Sequence, residues 1–318
     1  APLPGCQVYA GGTATFRAQV GGLVSSYQWR KSGGGNLVDG GNISGSTTPI
    51  LTIRNVSAAD QGNYELVVSN PIAVVTSDPA PLTLVTPAPG SYAEMVATNQ
   101  PFAYWRLNEN ADPAADNAPA YDYVGGFNGV YGLAAANGSA GVAGPQPPAF
   151  PGFEAGNSAL RSAGNTIRSW VVAPPLLMES DTVTLCAWVY PTAPTIPSYT
   201  GILFSRTTNN DVCGLGYGPN NTLGYTWNNS SDTYHFASGL VIPSNQWSFV
   251  ACVIRPDSAA LYVYNSTGQH AATNAIPHAP GAFKGLTCIG DDPSSANTPQ
   301  NRAFTGMIDE VAVFARSL

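Results

Sequence analysis

Two adjacent acidic residues, Asp309 and Glu310, interrupt an apolar stretch near the carboxyl end of the chain. The residues around them suit a strand that is buried on both faces, so strand alternation directs both carboxylates into the interior. An unpaired buried carboxylate costs on the order of several kcal/mol. We therefore expect hydrogen bonds, an arginine such as Arg106 or Arg302, or a cation to satisfy each acid of this acid pair.

The spacing of the acid pair disfavours catalysis. A retaining glycosidase needs two carboxyl groups about 5 to 5.5 Å apart, which on one strand means acids two residues apart that face one cleft. In a regular strand Asp309 shares a face with Met307 and Val311, while Glu310 points to the opposite side. None of the three histidines belongs to a recognisable motif with a serine or cysteine nucleophile. We predict a protein that is not an enzyme.

The residues best suited to hold a ligand lie in the second half of the chain, where two pairs of aromatic residues flank a polar turn. Sugar-binding sites combine a flat aromatic ring, which covers the apolar face of a pyranose, with amide and carboxylate groups that bond its hydroxyls. The alternative is that these aromatic residues, each on a predicted strand, are ordinary core residues. The predicted ligand-binding residues are Tyr225, Trp227, Asn228, Asp232 and Tyr234.

The composition argues against two classes of partner. The 318 residues carry a formal net charge of -7, and the basic residues are scattered, so no basic stripe is present to bind a phosphate backbone. No apolar run approaches the roughly 18 to 20 residues that cross a bilayer. Because the chain starts with Ala1 instead of methionine, we interpret it as a mature secreted or cell-surface form. We predict neither a nucleic-acid partner nor a membrane span.

The five cysteines show no spacing typical of a zinc site. Four of them fall in the second half of the chain, where one or two disulfides are expected in an oxidising compartment. Four cysteines allow three full pairings, so the sequence leaves the pairing open. The cysteines are Cys6, which is then left over, and Cys186, Cys213, Cys252 and Cys288.

The composition also favours an all-β fold. The chain has 34 glycines and 27 prolines, and only 10% of its residues are charged, a mixture that disfavours long helices and favours short strands joined by turns. Near the amino end, Ala14 and Phe16 alternate in one predicted strand, and Tyr27 to Trp29 begin the next one after a Gly/Ser turn. These two strands predict a hairpin-like pair.

Residues 1–86 resemble an immunoglobulin-like β-sandwich. Trp29 lies on an early strand, and the motif Asp60-x-Gly62-x-Tyr64 leads into a later one. In that family the tryptophan packs in the core, and the tyrosine forms the tyrosine corner. The resemblance therefore implies that Trp29 and Tyr64 have these roles.

The chain departs from the antibody pattern at the two positions of the intersheet disulfide, which are Ala18 and Leu66. The resemblance thus implies a core without a cross-link, as in bacterial modules that usually act as spacers. Residues 87–90 lie in a Pro- and Gly-rich stretch that we interpret as a short, stiff linker.

Residues 91–318 show short strands bounded by turn residues, and they resemble the laminin-G-like, or concanavalin A-like, jelly-roll sandwich. Tyr-Trp-Arg-Leu-Asn-Glu at 104–109 matches the opening motif of its bacterial branch, and Gly-Met-Ile-Asp-Glu-Val at 306–311 matches the closing one. Gln-Trp at 246–247 and Tyr-Val-Tyr-Asn at 262–265 supply the middle signatures. Because fold does not determine function, this resemblance implies the architecture first.

The same resemblance suggests a structural calcium ion. Its ligands would be Asp309, Asp116 and carbonyl groups near Asn128 and Gly129, since Ca²⁺ prefers carboxylate and carbonyl oxygens. The alternative is that the acids are satisfied by backbone amides and arginine.

Together these observations predict an extracellular, all-β, non-catalytic protein, in which an immunoglobulin-like spacer carries a lectin-type jelly roll. Its predicted partner is a glycan or an extracellular matrix polymer. The alternative hypothesis is a structural subunit that assembles with copies of itself into a filament, sheath or layer, because exposed strand edges offer a route to subunit pairing.

Overall fold

The structure is a computed structural model that describes residues 3–115, 117–164, 168–207, 211–293 and 302–318. Its contacts divide the chain into two units. Unit 1 comprises Ala1–Pro89 and Tyr121–Asn128, and unit 2 comprises Gly90–Ala120 and Gly129–Leu318. In the described part of the chain, no helix is both long enough and apolar enough to cross a membrane.

The described residues of unit 1 form eight strands and one 3₁₀ turn, Ala58–Asp60. The strands are β1 (Cys6–Tyr9), β2 (Ala14–Arg17), β3 (Ser26–Lys31), β4 (Ile43–Ser44), β5 (Ile50–Ile53), β6 (Gly62–Ser69), β7 (Val74–Thr76) and β8 (Ala80–Val85). One sheet has the order β1-β8-β6-β3, with β7 beside β6, and the other has the order β2-β5-β4. Strands β1 and β8 pair in parallel.

The core of unit 1 lies around Trp29, which is fully buried. Its ring centroid is 5.9 Å from that of Phe16, which in turn lies 5.1 Å from Tyr64. Leu66 is buried in the same cluster and Ala18 packs against it, so aliphatic contacts fill the space of the missing cross-link. The predicted hairpin-like pair is wrong, because β2 pairs with β5 and β3 pairs with β6 in the other sheet.

Unit 1 includes the segment Tyr121–Asn128, which lies within the range 91–318 predicted for the second domain. The backbone N–H of Tyr9 donates to the carbonyl of Tyr123 at 2.8 Å, and that of Thr13 donates to Val124 at 2.7 Å. The segment therefore satisfies backbone groups beside β1 that a lone strand edge would leave unpaired.

The described residues of unit 2 form sixteen strands, two short helices and three 3₁₀ turns. The helices are α1 (Tyr92–Thr98) and α2 (Ser231–Tyr234), and the turns are Pro113–Ala115, Gly138–Ala140 and Pro219–Asn221. The first strands are β9 (Ala103–Trp105), β10 (Pro119–Ala120), β11 (Gly129–Tyr131), β12 (Leu160–Ala163), β13 (Val171–Ala173), β14 (Glu179–Ser180), β15 (Val183–Pro191) and β16 (Gly201–Arg206). The others are β17 (Val212–Tyr217), β18 (Leu223–Trp227), β19 (Ser248–Arg255), β20 (Ser258–Asn265), β21 (Gly268–Asn274), β22 (Gly281–Ala282), β23 (Leu286–Ile289) and β24 (Thr305–Phe314).

Two large sheets build unit 2. Sheet A has the strand order β10-β11-β13-β23-β16-β17-β18, and sheet B has the order β12-β24-β15-β19-β20-β21 with β9 beside β24. The sheets contact each other through β15 with β17 and through β18 with β20. The predicted all-β fold class is confirmed.

The strands of sheet B are buried on both faces near β15, whose residues are nearly all buried. On the face of Trp188, an aromatic cluster from an earlier part of the chain covers the sheet: Phe153 lies 5.4 Å from Trp188 and Tyr92 lies 4.8 Å from Phe153. Tyr92 opens α1, which Ser91 caps by accepting a hydrogen bond from the backbone N–H of Glu94. This cover explains the near-continuous apolar pattern of β15 and β24.

A β-bulge interrupts the pairing of β24 with β15. Cys186 pairs with Ala312 but Trp188 pairs with Asp309, so one extra residue lies on β24 between these pairs. The backbone of Glu310 has a positive φ of 51°, which residues other than glycine rarely adopt. An irregularity of this kind re-aims the side chains that follow it.

All five cysteines are buried free thiols, so the expected disulfides are absent from the structure. Cys186 pairs with Ala251 and Cys252 pairs with Leu185, which places the two thiols on opposite faces of adjacent strands. Cys213 pairs with Ser205 of β16, and Cys288 pairs with the preceding residue, Phe204. These two thiols therefore also point to opposite faces. Strand alternation keeps these neighbouring cysteines apart.

Candidate functional site

The acid pair is fully buried, as predicted, but its two side chains do not face opposite sides of a regular strand. Asp309 shares the face of Trp188, its pairing partner. Beyond the bulge, Ala312 lies on the same face, because it pairs with Cys186, two residues before Trp188. Its other neighbour, Tyr104 of β9, is therefore on this face too. The hydroxyl of Tyr104 donates to Glu310. The bulge therefore turns both carboxylates toward the same side, and the predicted alternation is wrong at this point.

Glu310 is satisfied by a tyrosine and an arginine. Besides the hydroxyl of Tyr104, its carboxylate accepts a hydrogen bond from Nε of Arg106 at 3.2 Å, and Arg106 also contacts Glu154 at 2.8 Å. Burial raises the pKa of Glu310 to about 6, although Arg106 and Tyr104 oppose this shift. Of the two arginines expected near the acids, Arg106 is the one that pairs with Glu310.

Asp309 is satisfied in part by an amide. Its Oδ2 accepts a hydrogen bond from Nδ2 of Asn157 at 2.7 Å, whereas its Oδ1 has no partner in the described part of the chain. The backbone of Gly144 passes so close that a Cβ there would lie 2.6 Å from Oδ2. Burial and the nearby charge of Glu310 raise the pKa of Asp309 well above its ordinary value, which favours the protonated acid.

The predicted calcium site at Asp309 stays a prediction, because one of its predicted ligands lies outside the described part of the chain. Ca²⁺ takes six to eight oxygen ligands, and the free oxygen of Asp309 is one. Nowhere among the described residues do three or more His, Cys, Asp or Glu side chains lie close enough to hold a metal ion. Gly129 is in sheet A and Asn128 belongs to unit 1, while the predicted ligand Asp116 lies outside the described residues.

Two of the predicted ligand-binding residues lie in the interior. Tyr225 and Trp227 are in β18, as expected, but they are only 3% and 2% exposed. The hydroxyl of Tyr225 bonds to Nε2 of His278 at 2.9 Å, and Nε1 of Trp227 donates to the carbonyl of Ala279 at 2.8 Å. Because neighbouring groups cover both rings, neither can stack on a sugar, and the alternative of core aromatics describes them.

The other three predicted residues follow β18 but do not form one cluster. Asn228 turns its amide to the carbonyls of Ala279 and Pro280, and the carbonyl of Asp232 accepts a hydrogen bond from Asn274. Tyr234 ends α2 and is not on a strand. Of the five predicted residues, Tyr234 is the one that lines the cavity described next.

A polar cavity of about 330 Å³ lies beside sheet A; we call it the polar cleft. Its lining residues come from both ends of β16, from β18 and the turn after it, from the end of α2, and from the segment between β23 and β24. Its lining combines aromatic rings, arginines, a carboxylate, an amide and a hydroxyl. The lining residues are Tyr199, Arg206, Thr226, Asn229, Tyr234, His235, Asp292 and Arg302.

A buried carboxylate organises one wall of the polar cleft. Asp292 is 1% exposed and accepts two hydrogen bonds from Arg206, at 2.6 Å from Nε and 2.8 Å from Nη2. It also accepts one at 2.7 Å from Nη1 of Arg302. Bidentate and charge-assisted bonds of this kind are strong and directional, so Asp292 holds both guanidinium groups in place.

Aromatic rings also line the polar cleft. The rings of Tyr199 and Tyr234 are nearly perpendicular, at 85° and 5.9 Å between centroids, and His235 lies 4.5 Å from Tyr234. The guanidinium carbon of Arg302 is 5.4 Å from the ring centroid of Tyr199, within the range of a cation–π contact. The cleft therefore offers aromatic faces next to fixed hydrogen-bond donors, the combination that suits a sugar ring.

A second carboxyl group lies behind this wall. Asp291 is fully buried, and both of its carboxyl oxygens lack a hydrogen-bond partner among the described residues. Burial, followed by the charge of Asp292, raises the pKa of Asp291 to about 7. The raised pKa favours the protonated acid, which reduces the negative charge that Asp291 adds beside the cleft.

A second cavity of similar volume, about 330 Å³, lies on the face of sheet B that carries Trp188. Apart from tyrosine hydroxyls and one cysteine thiol, the polar side-chain atoms of its lining come from Thr184 and Gln269 only. The cavity therefore has few groups that could bond sugar hydroxyls. This apolar groove is lined by Thr184, Cys186, Phe249, Ala251, Val253, Tyr262, Tyr264, Gln269 and Leu318.

Sequence reasoning missed most of the polar cleft. Arg302 was expected to neutralise the acid pair, whereas it pairs with Asp292. Arg206 and Asp292 are 86 residues apart in the chain, so no local spacing connects them. The adjacent acids Asp291 and Asp292 directly after Gly290 were a usable signal, because acids at the end of an apolar strand need partners, as the buried acid pair does.

Comparison with protein families supports the jelly-roll prediction for unit 2. The Laminin_G_3 model, described as the concanavalin A-like lectin/glucanases superfamily, matches residues 164–318. The predicted laminin-G-like jelly roll is thereby confirmed over that range. A comparison with curated proteins found no match for the chain.

Several solved structures are similar to parts of the chain. Domain 4 of AbnA, a GH43 extracellular arabinanase from Geobacillus stearothermophilus in complex with arabinotriose, has 19% identity and a TM-score of 0.44 over 69% of this chain and 93% of that one. Extracellular domains 3–5 of Drosophila OTK have 22% identity and a TM-score of 0.23 over 27% and 30%. The enzymatically active domain of bacteriophage CBA120 tailspike protein 2 has 13% identity and a TM-score of 0.34 over 49% and 25%. None reaches a TM-score of 0.5, so nothing about the ligand of this chain follows from them.

Proposed function

We propose that unit 2 binds a glycan in the polar cleft and that the protein is a non-catalytic adhesion protein for a glycan or an extracellular matrix polymer. The observation that carries this function is the cleft itself. It places the perpendicular rings of Tyr199 and Tyr234 next to guanidinium groups that Asp292 holds in place. The lectin/glucanase description of the matching family agrees with a carbohydrate ligand. Because such polymers are displayed outside cells, the protein would be secreted or on the cell surface.

A non-catalytic role is supported by the state of the carboxyl groups. The acid pair is fully buried, which argues against contact with a substrate. Asp292 accepts hydrogen bonds from two arginines, which makes it a poor nucleophile or base. Asp291, the carboxyl group next to Asp292 in the chain, is fully buried as well. Hydrolysis of any polysaccharide by the purified protein would contradict this part of the proposal.

Unit 1 would serve as a spacer with an immunoglobulin-like fold. Its support is the buried Trp29 between two sheets and the hydroxyl of Tyr64, which donates to the carbonyl of Asp60 at 2.6 Å. A tyrosine that bonds backbone a few residues upstream is the tyrosine corner of such domains.

Glycan-array binding of the full chain tests the proposed function. We expect binding that is lost in Tyr234→Ala and kept in Tyr264→Ala, a matched control at a tyrosine that is 52% exposed outside the polar cleft. Binding that survives Tyr234→Ala but is lost in Tyr264→Ala would contradict binding in the polar cleft and would indicate the apolar groove, which Tyr264 lines. Absence of binding to every glycan would reject the proposal.

The second candidate function is that of a structural subunit, and one observation favours it. Strand β7 pairs only with β6 among the described strands, and its residues Val74 and Val75 are 70% and 58% exposed, next to Ile72 at 93%. An exposed apolar edge strand is a template for pairing with another chain. A second copy of this chain would supply the matching edge.

A further inference from the structure

We propose that the polar cleft selects glycans that carry a carboxylate, such as uronic or sialic acids, and that Arg302 binds this group. The inference rests on the proposed function and adds the chemical class of the ligand. Three features of the described residues lead to it: the charge balance of the cleft, the unused donors of Arg302 and the way in which this side chain is held.

The charged side chains that line the cleft leave a positive excess. Two guanidinium groups, of Arg206 and Arg302, face the single lining carboxylate of Asp292. The neighbouring Asp291 does not restore the balance fully, because its pKa is raised to about 7. This local excess stands out in a chain whose formal net charge is -7, and it favours an anionic group in the cavity.

Arg302 keeps one edge of its guanidinium group free. Arg206 uses Nε and Nη2 to grip Asp292 and its side chain is only 9% exposed. Arg302 uses Nη1 alone and its side chain is 30% exposed. Its Nε and Nη2 make no hydrogen bond within the described part of the chain. The Nε–Nη2 edge is the pair of parallel donors that binds a carboxylate in a bidentate manner, as Arg206 does with Asp292.

The guanidinium group of Arg302 is also held in position before a ligand arrives. Asp292 fixes one end by a hydrogen bond of 2.7 Å, and the ring of Tyr199 lies 5.4 Å from the guanidinium carbon. A donor that is already ordered loses less conformational entropy on binding. Asp292 therefore acts as a positioning residue, and the aromatic rings beside Arg302 would contact the sugar ring whose carboxylate it binds.

Calorimetric titration of the full chain with matched sugars tests this inference. The probes are oligogalacturonate, oligoalginate and sialyllactose, each paired with its neutral counterpart: the carboxyl-reduced oligosaccharides and lactose. We expect at least one acidic member to bind about tenfold more tightly than its neutral counterpart, equivalent to about 1.4 kcal/mol, and the preference to weaken as salt is added.

Variants then assign the preference to a residue. We expect Arg302→Gln to reduce the preference to within about twofold, Arg302→Lys to keep part of it, and Arg255→Gln, a surface arginine of β19, to leave it unchanged. Equal affinity for each acidic and neutral pair, or a preference that survives Arg302→Gln, would overturn the inference while leaving glycan binding intact. Failure of every acidic and neutral glycan to bind would instead reject both the inference and the proposed function.

Discussion

At the scale of single residues, the acid pair shows how two adjacent carboxyl groups can be stabilised differently in one buried place. Glu310 is matched by Arg106 and Tyr104, whereas Asp309 has one amide and a free oxygen. The pKa of Asp309 is raised well above its ordinary value and that of Glu310 to about 6. The larger rise favours the protonated form of Asp309, whereas Arg106 and Tyr104 favour the ionised form of Glu310.

This description predicts that Asp309→Asn is tolerated. The amide keeps the shape of the protonated acid, so we expect the free energy of unfolding to change by no more than about 1 kcal/mol. The matched variant Glu310→Gln leaves Arg106 without its buried partner and is expected to cost about 3 to 5 kcal/mol. Chemical denaturation of both variants measures the contrast.

The calcium hypothesis predicts the opposite pattern. If Asp309 were an ionised calcium ligand, Asp309→Asn would destabilise the protein strongly, and a chelator would lower the thermal unfolding midpoint (Tm) of the wild type. A fall in Tm on chelation that disappears in Asp309→Asn would contradict the protonated state.

Asp291 predicts a pH dependence of stability. Its pKa in the folded protein is raised from the ordinary 3.8 to about 7, so the folded state binds the proton more tightly than the unfolded state. The resulting stabilisation is complete below about pH 4 and is lost as pH rises through about 7. We expect the Tm of the wild type relative to Asp291→Asn to fall between pH 5 and pH 8.

Parallel Tm curves for the wild type and Asp291→Asn over that range would contradict the raised pKa. Asp292→Asn is a useful comparison because it removes the charge that adds to the shift but also frees Arg206 and Arg302. We expect it to lower Tm at every pH in this window, since it breaks charge-assisted hydrogen bonds in a buried position.

At the scale of elements, the sequence predicted regular strands better than their interruptions. Strand β18 lies where the alternation of Tyr225 and Trp227 predicted a strand. The bulge at Glu310 was not predictable, because no glycine marks its positive φ. Tyr234 was assigned to a strand from alternation alone, but the turn after Trp227 continues into α2, and this short helix brings Tyr234 to the polar cleft.

The hydrogen bond of the Tyr64 hydroxyl, the proposed tyrosine corner of unit 1, predicts a modest, local loss of stability on Tyr64→Phe. The variant removes the hydrogen bond from the hydroxyl to the carbonyl of Asp60, which is 2.6 Å long, and a bond of this kind contributes about 1 kcal/mol. Hydrogen exchange of the β3 and β6 amides measures the opening free energy. Tyr27→Phe is the control, and an equal loss in both variants would contradict a specific role for the corner.

The edge strand β7 carries the prediction for the structural alternative. If the protein assembles through this edge, sedimentation of the wild type will show self-association that Val74→Lys abolishes, because a charge on an edge strand blocks pairing with another chain. Val38→Lys, at another exposed valine of unit 1, should leave the association unchanged. A wild type that stays monomeric at high concentration would contradict assembly through β7.

At the scale of the whole molecule, composition and motifs predicted an all-β chain with a jelly roll in its second part, and this was confirmed. The contacts divide the chain between Pro89 and Gly90, inside the predicted linker 87–90, but they also assign Tyr121–Asn128 to unit 1. The sequence carries no local signal for that assignment, because it depends on backbone bonds to Tyr9 and Thr13.

The same limit applies to the polar cleft. Its residues come from segments far apart in the chain, and they meet only because the fold brings β16, β18, α2 and the residues after β23 together. Single motifs such as Tyr225-x-Trp227 are visible in the sequence, yet burial decides which aromatic rings remain available. Tyr225 and Trp227, which the sequence pattern favoured as ligand-binding residues, are therefore buried in the core.

The most direct test of glycan binding in the polar cleft is hydrogen exchange of the full chain with and without a saturating oligosaccharide that the array identifies. The account predicts that the ligand slows exchange in residues 199–206 and 226–235, with little change in β19 and β20. Protection confined to β19 and β20, or no protection around Tyr199 and Tyr234 despite binding, would contradict it.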